Sequence, residues 1–592
     1  MSDYRYPYQD GIFVLNELIG LEDICKQAGL EDVAEGLAEA ILDEAAKMGS
    51  EVLAPLNGFG DKNPPQLKDQ KVIETEGFSQ AYQQFCEAGW PSVGAEEEFG
   101  GQGLPATIAV AANEIWQSAN LSWALCPLLT QGSIEAISAH GSAQLKTTYL
   151  PRLISGEWTG TMNLTEPDAG TDLAALKTRA VREGDHYRIT GQKIFITWGD
   201  HQMTENIVHL VLARLPDAPA GVKGISLFVV PKFLLDENGN TTDQRNDVFA
   251  VSLEHKLGIH ASPTCVMSFG DNGGAVGYLV GEENQGLACM FTMMNDARQG
   301  VGLQGLAISE RAYQHALTYA KERVQGTQRD GSRVTIINHP DVRRMLLQMK
   351  SATEAMRALA YVAKAEADKY RFTDDAEAKR RHRARTDLYT PIVKGWITEL
   401  AQEVTYLAVQ IHGGMGFIEE TGVAQHYRDA RILTIYEGTT GIQALDLVGR
   451  KTLADDGKAL NDLLIEMDAD FMEITDPELF DIVSANRNAL TCAMTAKNWV
   501  TDQGSQNMAD AGAASVSFMM LMGYMCGGWL MAKSANIALK QLADNPENAD
   551  FLKTKIQTAR GFCEQLLPRV DGLVKSVCAG GDTAMSLSED QF

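Results

Sequence analysis

The sequence predicts an α+β protein in four segments: helical over 1–161, β-rich over 162–283, a helical bundle over 284–450 and a further helical unit over 451–592. Three observations set this order. Apolar residues recur at three- and four-residue steps early on, as in Leu30-Glu31-Asp32-Val33-Ala34-Glu35-Gly36-Leu37. The period then shortens to two, in runs rich in Val, Ile and Phe: His186 to Thr197, Asn206 to Arg214, Gly224 to Val230 and Thr264 to Phe269. Long helical runs return after Leu287, clearest in Glu310 to Arg323 and Val342 to Ala367.

Each segment has internal punctuation. A polar, proline-containing loop is expected around 58–67, and a turn-rich stop at Glu97-Glu98-Phe99-Gly100-Gly101-Gln102-Gly103-Leu104-Pro105. The short, regular strands predict an antiparallel sheet, barrel or sandwich rather than alternating βα units. Lys379-Arg380-Arg381-His382-Arg383-Ala384-Arg385 reads as a solvated helix face or loop. The uncharged stretch 514–532 approaches the length of a membrane span, yet it carries several Gly, Ser and Met residues. It reads as a buried core helix, with a membrane-contacting segment as the minority alternative. The polar tail from Ala579 is expected to fray.

Composition narrows the function classes. The 592 residues carry a net charge of −27, which repels nucleic-acid phosphate and anionic lipid on average. Nine cysteines occur without a CxxC pair, which predicts reduced thiols in a cytoplasmic setting rather than a disulfide scaffold or a zinc site. The start, MSDYRYPYQDG, has neither a secretory nor a transit pattern. HExxH, GxxxxGK[ST] and GxSxG motifs are absent. A GxGxxG, Gly300 to Gly305, follows a Met-rich helical pattern and not a strand, so it reads as small residues that let helices approach.

Three stretches carry the chemistry. Ile435-Tyr436-Glu437-Gly438-Thr439-Thr440 sets an acid between an aromatic residue and a glycine. A desolvated carboxylate has its pKa pushed toward neutral and can serve as a general base, although a loop acid or helix cap fits the bare motif too. Asn163 to Ala175 is a turn rich in hydroxyls and acids, suited to hydrogen-bonding a polar ring or a diphosphate, or to capping an ordinary loop. Gln410-Ile411-His412-Gly413-Gly414-Met415-Gly416-Phe417 ends a long helix with glycines that permit close backbone approach.

Together these stretches resemble the acyl-CoA dehydrogenase family. Residues 163–175 match its first signature. Residues 410–429 match its second through Gln410, Gly413, Gly414, Gly416, Phe417, Glu420 and Asp429, with Gln425 departing where Lys or Arg is usual. The helical–β–helical order agrees. The extension after 450 and the opening Asp10 to Glu17 resemble a roughly 600-residue bacterial subfamily. That subfamily includes broad-range and long-chain acyl-CoA dehydrogenases and 3-(methylthio)propanoyl-CoA dehydrogenases.

The resemblance implies FAD as cofactor. Thr165 and Thr197 would hydrogen-bond the flavin, Phe195 would stand against its ring, and Thr171 would face the diphosphate. Arg323 would reach the phosphates from another subunit. Gln410, Gly413 and Gly414 would line the adenosine end with Thr439 nearby; Gly441 departs from a usual Gln. Glu437 would take the α-proton of an acyl-CoA while hydride passes from Cβ to the flavin, giving a trans-2-enoyl-CoA. The enolate oxygen would be held by the backbone N–H of Glu437 and a ribityl hydroxyl. Some relatives carry the base at the position of Ala297, which cannot act as one. Gly438 and Arg298 are expected at the substrate, with a plain surface arginine as the alternative for Arg298. The implied substrate is a medium- or long-chain fatty acyl-CoA of β-oxidation, with a 3-(methylthio)propanoyl thioester as alternative. The implied partners are an electron-transfer flavoprotein and a second copy in a homodimer. An oxygen-using oxidase and a DNA-associated relative are the competing functions.

Overall fold

The computed structural model describes residues 4–544 and 548–592. By its contacts the chain divides into two units, 47–104 with 119–300, and 1–46 with 105–118 and 301–592.

The first of these units is built on an eight-stranded sheet. Its strands are β1 (Trp158–Asn163), β2 (Arg179–Glu183), β3 (His186–Thr197), β4 (Asn206–Arg214), β5 (Ile225–Pro231), β6 (Val248–Leu253), β7 (Thr264–Phe269) and β8 (Ala275–Val280). They run in the order β6-β7-β3-β8-β5-β4-β1, with β2 against β3 and β4. The apolar runs in β4 and β5 are buried almost throughout because two cores share them. Leu210, Leu212, Leu227 and Val229 face a cluster containing Leu129, Ile137 and Trp158. The alternate residues Val211, Ala213, Phe228 and Val230 face another containing Ile189, Met267 and Phe269. That is the two-residue side-chain period of a strand covered on both faces.

Three local expectations change. The sheet is mixed, since β1 pairs parallel with β4 from Trp158↔Asn206 to Asn163↔Val211. It therefore begins at Trp158, before 162. His186 to Thr197 is one continuous strand. The stretch expected as a loop over 58–67 holds the end of a helix, Ala54–Lys62, and a strand, Gln66–Lys68. That strand forms a hairpin with Lys71–Ile73, turned by Asp69 and Gln70 at φ +49° and +59°. Two consecutive positive φ values match the right-handed twist of the flanking strands.

The other unit is helical. Its main elements are α1 (Ala106–Ala119), the part of α2 (Gly286–Glu322) from Val301 onward, α3 (Pro340–Phe372), α4 (Ala376–His412), α5 (Val423–Ala430) and α6 (Thr440–Gly449). The extension adds α7 (Lys458–Glu473), α8 (Phe480–Trp499), α9 (Met508–Asp544) and α10 (Ala549–Gln565). Asp375 caps α4 by accepting from the Ala378 N–H, so the basic stretch 379–385 is a helix face. The glycines of the GxGxxG stretch let helices meet. A Cβ at Gly302 would lie 2.4 Å from Val393, and one at Gly305 would lie 3.0 Å from Ile397, both on α4. The most apolar 18-residue window of α9 is 83% buried, and a Cβ at Gly523 would strike the Trp396 ring. Packing inside the bundle accounts for its hydropathy. The tail carries a capped turn at Glu589–Gln591.

One ion cluster joins the ends of this unit. The Arg357 guanidinium on α3 reaches Asp10 at 2.6 Å, Glu114 on α1 at 2.7 Å and Glu310 on α2 at 2.7 Å. Tyr361 donates to Glu114 at 2.6 Å. Lys555 of α10 pairs with Asp10 and reaches Glu354 at 2.9 Å. All are buried. Burial raises the Asp10 carboxyl, but Lys555 and Arg357 outweigh it and hold it at about 2. Removing one partner of such a cluster leaves an uncompensated buried charge, a cost of about 3–5 kcal/mol. Lys555→Met should therefore lower the thermal midpoint by several degrees in calorimetry. Lys26→Met, which breaks the exposed pair with Glu22, should leave it within about a degree, because exposed pairs contribute about 0–1 kcal/mol.

Candidate active site

In the sheet unit, β3 bulges where the resemblance puts the flavin. Cys265 pairs with Ile196 and Met267 with Lys193, so one residue of β7 opposes both Ile194 and Phe195. A bulge re-aims side chains. Phe195 sits at φ +60° and is 58% exposed. The Ile194 N–H leaves the ladder and donates to the Thr165 carbonyl at 2.9 Å, which ties the 163–175 turn to the bulge. The turn is fixed from beneath. Buried Glu166 accepts from the Lys177 N–H at 2.6 Å, the Thr178 N–H at 3.0 Å and Lys193 Nζ at 2.9 Å. Burial pulls the Lys193 ammonium down to about 8 against the opposing pull of Glu166. Thr165 and Thr197 are half-buried and Thr171 is exposed. No described residue of the chain engages their hydroxyls.

In the helical unit, Glu437 occupies the left-handed region at φ +55°, followed by Gly438 at +92°. That conformation is costly for a residue with a Cβ and persists only where the surroundings enforce it. Three side chains do so. Gln443 donates to the Glu437 carbonyl at 3.1 Å and to that of Gly438 at 3.4 Å. Lys394, fully buried on α4, donates to the Gly438 carbonyl at 2.7 Å. Tyr436 donates to Gln304 of the GxGxxG stretch. Burial, then the neighbouring Glu437 charge, raises the Tyr436 phenol well above its ordinary value. A Cβ at Gly438 would meet Gln443 Nε2 at 2.7 Å, so position and φ both demand glycine. Thr439 caps α6 through the Ile442 N–H at 3.4 Å. The Glu437 side chain is half-buried.

Lys394, Gln443 and Gln304 escaped the sequence reading. The signal for Lys394 was present: a lone cation inside Thr390-Pro391-Ile392-Val393-Lys394-Gly395-Trp396-Ile397.

The remaining residues spread out. Gly413 stops α4 at φ +60°, and a Cβ at Gly413 or Gly414 would meet nothing within 4 Å. Gln410 is exposed beside them. Thr440 donates to Glu399 of α4, and Gly413 lies fourteen residues further along, roughly 21 Å at the α-helical rise. Thr439 and the Gly413–Gly414 turn therefore stand apart within one chain. Arg323 is exposed just before the strand Val324–Thr327. Arg298 is buried at 3% exposure, with Asn295 at 3.4 Å and the Phe291 ring at 6.0 Å, which removes the surface reading. Ala297 is buried beside it. The departing Gln425 is satisfied on α5 by Asp429 at 3.2 Å.

Four successive family descriptions match the chain. They are acyl-CoA dehydrogenase N-terminal domain over 39–157, middle domain over 161–272 and C-terminal domain over 284–452, then acetyl-CoA dehydrogenase C-terminal like over 463–588. A 3-methylmercaptopropionyl-CoA dehydrogenase of Ruegeria pomeroyi is 46% identical over 99% of this chain and 100% of its own. The chain belongs to the acyl-CoA dehydrogenase family. The broad-specificity linear acyl-CoA dehydrogenase FadE5 of Mycobacterium tuberculosis is 34% identical over the full length of both. The fold is shared with an acyl-CoA dehydrogenase from Bacillus anthracis solved with FAD, at TM-score 0.73 and 22% identity, over 93% of this chain and 90% of that one.

An acyl-CoA dehydrogenase is an FAD-dependent oxidoreductase. The three hydroxyls, unengaged among the described residues, and the aromatic turned outward on a bulge fit a flavin. Phe195→Ala should weaken FAD retention about 2- to 10-fold, the worth of one aromatic stacking partner, read as loss of flavin absorbance on dilution. Lys394→Met should keep FAD yet slow flavin reduction by saturating acyl-CoA about 10- to 100-fold, the worth of a hydrogen bond from a charged donor. Wild-type rates in stopped flow would remove Lys394 from the site.

Proposed function

We propose that this acyl-CoA dehydrogenase acts on a short acyl-CoA, with 3-methylmercaptopropionyl-CoA as its preferred thioester and Glu437 as the base. The full-length likeness to the Ruegeria enzyme carries this reading. It exceeds the likeness to the broad-specificity enzyme and favours a short, sulfur-bearing chain over the medium or long fatty chain expected first. FAD, when bound, supplies the hydride acceptor. The chain's own residues do the rest. Glu437 withdraws the α-proton, and its strained turn, fixed by Lys394 and Gln443, holds the carboxylate at one position. Phe195 and the Thr165–Thr197 pair orient the ring, and Arg298 and Gly438 border the thioester.

The electron acceptor in this reading is an electron-transfer flavoprotein in the reducing cytoplasm; six of the nine thiols are buried and all nine are unpaired. The active form is a homodimer. Apolar side chains stand exposed around the Gly413–Gly414 turn, with Met415 at 47% and Phe417 at 86%, beside the exposed Gln410; the exposed Arg323 follows four residues after Tyr319, whose ring stacks on His412. A second copy would cover them and bring those residues to its own flavin.

A panel of thioesters with the yellow protein and an artificial acceptor tests the substrate. The kcat/KM for 3-methylmercaptopropionyl-CoA should exceed that for dodecanoyl-CoA by at least about 10-fold, within the reach of a pocket of fixed depth. A preference for dodecanoyl-CoA would restore the fatty-acid reading. Light scattering should give twice the chain mass.

A further inference from the structure

A cavity of about 340 Å³ lies among α3, α4, α7, α9 and the first helical turns of the chain, away from the Glu437 turn along α4. Its wall is rich in cations although the chain as a whole is strongly acidic. Lys369, Arg381, Arg385 and Lys533 line it, against Glu366 and Glu466. Most of these charges are already answered. Glu366 accepts from Lys369 at 3.3 Å and faces His382 at 2.7 Å. Lys533 pairs with Asp470 at 2.9 Å, just behind the wall.

Arg385 is the exception. Its side chain is only 8% exposed, and its direct ion pair is with Glu466 at 2.9 Å through Nη2, with the Glu366 carboxylate and the Tyr389 side chain also close enough to act on it. Glu466 is itself half in solvent, where its attraction is screened. The other terminal nitrogen, Nη1, is buried with no hydrogen-bond partner. A buried, unpaired guanidinium N–H is expensive, and a guanidinium edge suits a carboxylate better than any other common ligand group. Arg381, exposed at the same wall, has no ion-pair partner among the described residues. The remaining lining is apolar and aromatic: Leu18, Ile19, Tyr389, Trp529 and Leu530.

We propose that this cavity binds a short aliphatic monocarboxylate, its head on the guanidinium groups of Arg385 and Arg381 and its chain against Ile19 and Trp529. The two wall glutamates select a monoanion, since a dianion would face like charge on both sides. The volume falls in the range of small-molecule sites. An occupant would bridge the core helices α3 and α4 to the extension helices α7 and α9, so binding would stabilise the extension on the bundle.

Calorimetric titration of the holoenzyme with hexanoate tests this, with an excess of an enoyl-CoA product present to keep the active site filled. Hexanoate should bind saturably and raise the thermal midpoint. Hexanamide, of the same shape without charge, should do neither. Arg385→Met should weaken hexanoate binding about 10-fold or more, equal to about 1.4 kcal/mol. The exposed Arg381→Gln, which tests the same site should Arg385→Met fail to fold, should weaken it about 3-fold. Four results would overturn the proposal: no saturable binding to the wild type, equal binding of hexanamide, binding of inorganic phosphate but not hexanoate, or hexanoate affinity unchanged in Arg381→Gln.

Discussion

A single buried guanidinium sets the frame of the helical unit. Arg357 takes carboxylates from the N-terminal helix, from α1 and from α2, and its neighbour Asp10 passes the contact on to Lys555 of the extension. Charges this buried tolerate no slack, because each must be answered at hydrogen-bond distance. The cluster therefore fixes the register of α2 and α3 against each other. The glycines of α2 then seat α4 closely through Val393 and Ile397. From α4, Lys394, Glu399 and Gln402 reach the turn around Glu437, through Gly438, Thr440 and Ala430 in that order.

Strain is found at the two positions to which the proposal gives the chemistry. Glu437 and Phe195 are both non-glycine residues in the left-handed region, at about 1–3 kcal/mol each. Each has a dedicated brace, Lys394 and Gln443 for the acid and the Thr165 carbonyl for the bulge before the aromatic. Backbone strain held by such hydrogen bonds gives a side chain one position, as the proposed base and stacking platform require.

Much of this was legible in the residues. The two-residue period of β4 and β5 located the sheet, and the helical period around Gly300 to Gly305 kept those glycines from being read as a nucleotide loop. Three-dimensional bracing was not legible. A lone Lys394 in an apolar run signals a buried partner but does not name the Gly438 carbonyl forty-four positions on. The parallel pairing of β1 with β4 was hidden because a six-residue strand looks the same whichever way its neighbour runs. A surface position stayed open as the alternative for Arg298 because burial of a cation depends on packing and not on its local sequence.

The role of Glu437 is the claim on which the rest turns. Anaerobic stopped-flow reduction of the Glu437→Gln holoenzyme by saturating acyl-CoA addresses it most directly, because glutamine keeps the shape and loses the proton acceptor. With Glu437 as the base, FAD content and thioester binding stay normal and flavin bleaching slows by about 100- to 10,000-fold, the usual worth of a general base. Bleaching at the wild-type rate would contradict that role.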